Sequence, residues 1–322
     1  MPEKQIIAVV GATGAQGGGL ARAILNDPNG GFAVRALTRN VNSDAARELA
    51  KLGAEVVAAD VDDPASLEAA FQGAYGAFCV TFYWAHMSPE REINEAKRLA
   101  QAAKKAGLQH VIWSTLEDTR NWVPLSDNRM PTIHEDYKVP HFDTKGGSDQ
   151  FFAEAGVPTT YLLTSFYWDN FINFGMGPQY MPDGKLAITL PMGDKRLPGI
   201  AAEDIGKCAY GILKRGQEFI GKKVGIAGEH LTGAQMAAQL SSALGQEVKY
   251  NDIPPDVYRG LGFPAADDIG NMFQFKRDFE DYFVGARSVE FSKSINPELQ
   301  NFKAWLAKNA KRIPMPEEAA TA

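Results

Sequence analysis

Ile6-Ile7-Ala8-Val9-Val10-Gly11-Ala12-Thr13-Gly14-Ala15-Gln16-Gly17 is the stretch whose reading decides the fold of this chain. Its first five residues form an apolar run of strand length, the glycines follow at once, and Leu20 to Leu25 reads as helix. A strand, a glycine turn and a helix start in direct succession form a cradle for a dinucleotide pyrophosphate. Gly11 permits the tight turn, Gly14 lets the main chain approach an anion with no Cβ in the way, and Gly17 lets the helix pack closely on the strand. Free amides and the positive end of the helix dipole then face the anion. The residues expected to hold the cofactor here are Gly11, Ala12, Thr13, Gly14, Ala15, Gln16 and Gly17.

Outward from this stretch, strand and helix patterns take turns. Strands are expected at Phe32–Thr38, Ala54–Ala59, Ala77–Thr81, His110–Ser114 and Thr159–Leu163, with helices at Asp44–Leu52, Pro64–Phe71, Pro89–Ala106 and Asp143–Ala155. Such alternation with short connections predicts an α/β fold of Rossmann type, a doubly wound parallel sheet covered on both faces. Between Glu117 and Pro140 the periodicity lapses, and the segment reads as a long loop over the site. Asp204–Leu213 is read as helix and Lys223–Ile226 as the last strand of the sheet. Beyond it Thr232–Leu244, Pro254–Leu261, Ala265–Phe283 and Pro297–Lys308 are read as helices, with a short strand at Glu247–Asn251. Residues 1–165 with about 200–228 are thus expected to form the dinucleotide-binding domain. Residues 166–199 with 229–311 form a smaller, mostly helical lobe, and 312–322 a flexible tail.

At 322 residues the chain suits one large domain with a smaller lobe. A net charge of −6 leaves no basic surface for a phosphate backbone, so nucleic acid is not an expected partner. No apolar run of about 18 residues is present, so no membrane span is expected. The first residues lead straight into a strand with no room for a signal peptide, and Cys79 and Cys208 sit in apolar surroundings, so a cytoplasmic location with reduced thiols is expected. Neither cysteine has the spacing of a metal site.

The second strand ends Ala36-Leu37-Thr38-Arg39-Asn40 without the acid that commonly bonds a ribose 2′-hydroxyl. Arg39 offers instead a planar fork suited to a 2′-phosphate, which makes NADP(H) the expected cofactor. Asp60 ends the third strand, where its side chain can accept from an adenine amino group. Thr81, Phe82 and Tyr83 leave the fourth strand at the carboxyl edge of the sheet, where ligands of such folds lie.

Taken together, the glycine stretch, Thr38-Arg39-Asn40, Thr81-Phe82-Tyr83-Trp84, His141-Phe142-Asp143-Thr144-Lys145 and Tyr167-Trp168-Asp169-Asn170 closely resemble the NmrA-like family of atypical short-chain dehydrogenase/reductase relatives. The nearest subgroup is similar to the HSCARG-type NADPH sensors. Pro182-Asp183-Gly184, Leu261-Gly262-Phe263-Pro264 and Asn271-Met272-Phe273 extend the likeness over nearly the whole chain. The resemblance implies further cofactor contacts from Val61, Lys145, Tyr167, Trp168, Asp169 and Asn170. It also implies that a cofactor-holding lysine of the family is replaced here by Asn94.

Dehydrogenases of this superfamily use a tyrosine four residues before a lysine as proton donor. Here Lys145 is present but His141 stands four residues earlier, so the tyrosine is missing. Lys145 is expected to hold ribose hydroxyls and is a candidate for proton transfer. His141 is left with three roles: a substitute acid, a hydrogen-bonding ligand contact, or none. Ser114 and Thr115 stand where a hydroxyl donor would be, Tyr137 and His134 could cover the nicotinamide, and Phe166, Tyr167, Trp168, Trp84 and Phe171 could either line a flat pocket or pack sheet against lobe. Two functions follow. The favoured one is a redox sensor that binds NADPH and NADP⁺, alters the 117–140 loop or its oligomeric state, and signals to a protein partner. The other is an NADPH-dependent reductase of a planar carbonyl, quinone or enone. A homodimer is an option of this fold class for which no patch in the sequence speaks.

Overall fold

The computed structural model describes residues 4–316; residues 1–3 and 317–322 lie outside the described residues, and with them most of the expected tail. The first half follows strictly alternating order: β1 (Gln5–Val9), α1 (Ala15–Leu25), β2 (Phe32–Thr38), α2 (Asp44–Lys51), β3 (Glu55–Ala58), α3 (Pro64–Phe71), β4 (Gly76–Cys79), α4 (Pro89–Ala106), β5 (His110–Thr115), α5 (Pro140–Glu154) and β6 (Thr159–Leu163). After β7 (Phe166–Tyr167), α6 (Asn170–Asn173), β8 (Gln179–Tyr180), β9 (Leu186–Thr189) and β10 (Arg196–Ile200) come α7 (Ala202–Arg215) and β11 (Lys223–Gly225). The chain continues through β12 (Glu229–Thr232), α8 (Gly233–Leu244), β13 (Lys249–Asn251), α9 (Pro255–Arg259), α10 (Ala266–Asp278), α11 (Glu280–Gly285), α12 (Val289–Ile295) and α13 (Phe302–Asn309).

Seven parallel strands form the main sheet in the order β11-β6-β5-β4-β1-β2-β3. The order reverses at β1, which lies between β4 and β2, and ligands of open α/β sheets bind outside the carboxyl ends of the strands at such a point. Two apolar clusters sandwich the sheet: Ile7, Val9, Leu20 and Ile205 on one face, Ala8, Val10, Leu99 and Trp113 on the other. Alternation of side chains along β1 sends its residues to both faces. On the first face α1 meets α7 almost backbone to backbone. A Cβ on Gly19 would lie 2.6 Å from the Glu203 carbonyl oxygen, and one on Gly206 would collide with the Leu20 amide. Arg22 and Glu203 then pair across the two helices, with the guanidinium Nε donating at 3.0 Å.

The second lobe has its own core around Phe166, Trp168, Phe171, Phe273, Phe302 and Trp305. Two three-stranded sheets, β12-β10-β7 and β13-β9-β8, complete it alongside the helices. Four of these short strands, β7 to β10, lie within 166–200, where the sequence shows no element because two to five residues carry too little alternation to register as a pattern, whereas β13 falls within the strand expected at Glu247–Asn251. The single helix expected over Ala265–Phe283 is broken into α10 and α11 at Phe279 (φ −117°, ψ 37°). Ile313 is buried in this core, so the chain stays packed beyond residue 312 rather than loosening there. Both cysteines are buried and unbridged, and burial pushes each thiol far up. Among the described residues no helix is long and apolar enough to cross a membrane.

Candidate functional site

A cleft of about 1240 Å³ runs from the carboxyl edge of the main sheet into the second lobe. Its first wall is the turn after β1. Gly11 has φ +65°, which favours a residue without Cβ. A Cβ on Gly17 would come within 2.5 Å of the Gly11 carbonyl oxygen, so the helix could not start where it does with any other residue. No side chain caps α1, and Gly14, Ala15, Gln16 and Gly17 line the cleft, leaving an amide-lined positive helix end exposed to it.

Next to this turn, Thr13, Arg39, Asp60, Val61, Thr81, Phe82 and Tyr83 line the cleft, as do Lys145, Tyr167 and Asn170. Arg39 is exposed, and among the described residues no carboxylate pairs with it. Asp60 does not cap α3; Asp63 does, accepting from the Ala65 amide at 3.0 Å, which leaves the Asp60 carboxylate on the cleft with the Asp62 amide as partner. Three expected contacts lie elsewhere. Ala12 is wholly buried, its amide turned to the Leu37 carbonyl. Trp168 points into the second core against Phe302 and Trp305. Asp169 accepts from the Ala202 amide at 2.8 Å, tying α6 to α7. Tyr167 ends β7 and reaches the cleft, whereas Trp168 opens the turn that follows and its indole enters the second core. Phe171 is likewise a core residue.

Gln16 links the turn to the far strands: its amide nitrogen donates to the Tyr167 hydroxyl at 2.6 Å, and its oxygen accepts from Ser114 Oγ at 2.7 Å. Ser114 is thereby turned away from the cleft, and Thr115 donates to Asp149 at 2.7 Å, so neither hydroxyl is free to serve a ligand. Burial holds the Tyr167 phenol up at about 12.

Lys145 reaches from α5 to the end of β4. Its Nζ donates to the Thr81 carbonyl at 2.9 Å and to Thr81 Oγ1 at 2.6 Å, and lies 2.6 Å from the fully buried Glu92 carboxylate. Three donors meet three oxygens, so the ammonium is saturated. Thr81 Oγ1 itself donates to Glu92 at 2.6 Å. Sequence reasoning missed Glu92 because an acid in an eighteen-residue amphipathic helix reads as a solvated position. The α4 side chains that face the cleft are Arg91 and Glu95, while Asn94 is exposed and lies off it; the cation contributed by this helix is therefore Arg91. Burial, with Glu92 adding to it, lifts the Glu95 carboxyl to about 7.

His86, Glu92 and Glu95 bring donor atoms within 4.8 Å of one another, a spacing that could suit a cation. His86 Nδ1, however, accepts from the Ser88 amide at 3.0 Å. That bond keeps the proton on Nε2, the nitrogen 3.3 Å from Glu92, so the imidazole offers the carboxylates an N–H rather than a lone pair for a metal.

His141, one helical turn before Lys145, lines the cleft under Trp84, with ring centroids 4.6 Å apart. Its Nδ1 lies 2.6 Å from Asp268 Oδ1, and its backbone amide donates to the other oxygen of the same carboxylate at 3.3 Å. With Nδ1–H donating to Asp268, Nε2 remains for the cleft. Asp268 belongs to α10, 127 residues away, and no local signal in the sequence links the two.

Beyond His141 the cleft widens into an apolar bay with Phe142, Tyr258, Phe263 and Met272 in its wall, and Phe82, Met87, Phe174 and Leu261 stand exposed at its rim. The 117–139 connection does not cover it. Asp143 accepts from the amides of Thr119, Lys138 and Val139, Lys138 Nζ donates to the Asp127 and Met130 carbonyls, and Asn271 and Gln274 bind the carbonyls of Pro131, Lys138 and Arg129. Val123, Met130 and Val139 are part of the second core. Tyr137 and His134 accordingly lie outside the cleft wall, because the polar positions that made the segment look loose are the ones that nail it down.

Residues 3–306 match the model of the NmrA-like family. The NmrA-like family domain-containing oxidoreductase FrzB of Cladobotryum sp is 30% identical over 293 residues, covering 84% of this chain and 83% of that protein. Among solved structures, NmrA, a negative transcriptional regulator crystallised with NADP, is 25% identical, with a TM-score of 0.76 over 96% of this chain and 95% of its own. The NADP(H) complex of the Citrobacter sp. triphenylmethane reductase shares the fold at 20% identity, with a TM-score of 0.74 over 94% of this chain and 99% of its own.

Proposed function

This chain belongs to the NmrA-like family, and from that premise we propose that it is an NADP(H)-dependent oxidoreductase acting on a planar carbonyl, quinone or enone. The glycine turn fits a dinucleotide: the Gly17 Cβ that would obstruct it is missing, α1 ends uncapped on the cleft, and Arg39 has its guanidinium free for a 2′-phosphate. NmrA at 25% identity has been solved with NAD as well as with NADP. Residues Gly11 and Thr13 to Gly17, with Arg39, Asp60, Val61 and Thr81 to Tyr83, would hold the cofactor, and Lys145, Tyr167 and Asn170 would border its nicotinamide half. When bound, the nicotinamide supplies or accepts a hydride.

The observation that carries the reading is the Asp268–His141 dyad on the cleft wall, between the dinucleotide end and the apolar bay. Asp268 orients the ring through Nδ1–H, and in the imidazolium form Nε2–H gives its proton to the oxygen on which negative charge develops, leaving the neutral imidazole. The Trp84 ring, tilted against the imidazole, and the Phe142 ring, edge-on to it, flank His141 with apolar surface. Lys145, locked to Thr81 and Glu92, acts as a fixed positive charge and reaches a ribose by exchanging one of its three bonds.

Purified protein should oxidise NADPH with members of a quinone, enone and aromatic aldehyde panel. His141→Ala should lower kcat about 10²- to 10⁴-fold, the usual worth of a positioned acid, with the NADPH Kd unchanged. Tight NADPH binding without turnover on the whole panel would overturn this in favour of the second reading, an NADPH/NADP⁺ sensor with a protein partner. That reading draws on the likeness to a transcriptional regulator. In a sensor the response would have to come from somewhere other than the 117–139 connection, which is tied down on every side.

A further inference from the structure

Lys276 lines the inner end of the bay and is 3% exposed. Asp268, Met272 and Lys276 recur every fourth residue on α10, so one helix face carries the partner of His141, an apolar floor and then an amine. Lys276 Nζ has no oxygen acceptor among the described residues; it approaches Met272 Sδ at 3.2 Å. The rings of Phe142, Phe273 and Phe283 surround it at 5.4, 5.7 and 5.4 Å. Close by, Arg287 and Glu117 form a buried two-point pair at 2.7 and 3.0 Å, which uses up the carboxylate that could have neutralised a lysine. Of the groups around Nζ, Phe142 and Met272 also face the cleft, so a molecule in the bay lies next to the amine.

We propose that Lys276 is a nucleophile that condenses with the carbonyl group of a planar, apolar aldehyde or ketone seated in the bay. The amine nitrogen bonds to the carbonyl carbon, the oxygen leaves as water with the two protons of the neutral amine, and an imine remains. Water restores the free lysine by the reverse steps. Several features of the surroundings favour this chemistry. An amine in an apolar pocket beside another cation is an activated nucleophile. Burial, reinforced by Arg287, brings this lysine down to about 7. About half of it is then unprotonated at neutral pH, against roughly one part in 2,500 for an ordinary lysine. The aromatic wall of Phe142, Tyr258 and Phe263 suits a flat, conjugated carbonyl compound. Lys145 has all three of its donors engaged by Thr81 and Glu92 and so does not compete.

The imine needs no dinucleotide, so it can be tested apart from the proposed reaction. The full chain is incubated at pH 7 with cinnamaldehyde and cyanoborohydride, which reduces an imine to a stable secondary amine, and is then mapped by peptide mass spectrometry. One adduct on Lys276, forming about tenfold faster than on any exposed lysine such as Lys51 and absent from Lys276→Met, is the expected result. Adducts spread over surface lysines, or on Lys145 with none on Lys276, would overturn the proposal. Assignment on the unmodified chain keeps the outcome decisive even where the variant folds poorly. An NADPH titration of the same sample separates the two ideas, since labelling without NADPH binding would retain Lys276 and sink the cofactor reading.

Discussion

Lys145 and Lys276 line one cleft, the first with its side chain 12% exposed and the second buried, yet their surroundings are opposite. Around Lys145, at the end of the main sheet, Thr81 and Glu92 offer three oxygens within 2.9 Å. Around Lys276, in the second lobe, the neighbours are three phenyl rings and a thioether. A buried charge survives only where it is paired and hydrogen-bonded; elsewhere it gives up its proton. Residue type thus says little about a lysine in such a cleft. The Lys145 side holds an amine engaged at every donor and suited to orienting polar hydroxyls, and the Lys276 side holds an amine that burial brings down toward neutrality.

The largest expected effect comes from removing the acid on the Lys145 side. Glu92→Ala leaves a buried ammonium without its counter-charge and should cost about 3–5 kcal/mol of stability, read from denaturant midpoints. A loss below about 1 kcal/mol would mean that Thr81 alone holds the charge, and the contrast between the two lysines would weaken.

Arg39 supplies a third cation, exposed at the cofactor end, and serves as the reference for a charge that needs no partner from the protein. Arg39→Ala should leave stability within about 0.5 kcal/mol and weaken NADPH binding by about 1.5–3 kcal/mol with almost no change for NADH, the range for charged hydrogen bonds. Equal losses for the two cofactors in calorimetry would show that Arg39 acts through the structure of the turn instead.

The smallest expected change has the opposite sign. Lys276→Met replaces an amine that has no oxygen partner among the described residues by an apolar chain of similar length, and should stabilise the protein by about 1–3 kcal/mol at pH 7. The pH dependence follows from linkage. Between about 7 and the ordinary lysine value near 10.4, the unfolded chain binds a proton that the folded chain does not, so wild-type stability rises with pH across that window. The advantage of Lys276→Met should therefore shrink from pH 7 to pH 10. A gap that stays constant would mean that Lys276 is protonated in the folded state, and its proposed chemistry would go with it.

Most of the dinucleotide end was legible in advance because it is local. Gly11, Gly14 and Gly17, the strand before them and the helix after them lie within twenty-five residues, and Arg39 and Asp60 follow as the ends of successive strands. Trp168 and Asp169 went astray because the motif that contains them leaves β7 after Tyr167 and turns, which carries Trp168 into the second core and Asp169 onto the start of α7. The connection over 117–139 went astray for a related reason: beside its nearby bonds to Asp143 and Lys138, the carbonyls of Arg129, Pro131 and Lys138 are bound by Asn271 and Gln274, more than a hundred positions away, which no local pattern can reveal.

What the sequence alone determined was the doubly wound sheet, the cradle at its switch point and the absence of an acid after β2, since each depends on neighbours in the chain and on periodicity. Tertiary structure alone decided that Asp268 would meet His141, that Glu92 would pair with Lys145 and that Lys276 would find no oxygen among the described residues. The charge state of a buried group depends on which polar atoms reach it through space, and those atoms arrive from helices that the order of residues does not place side by side.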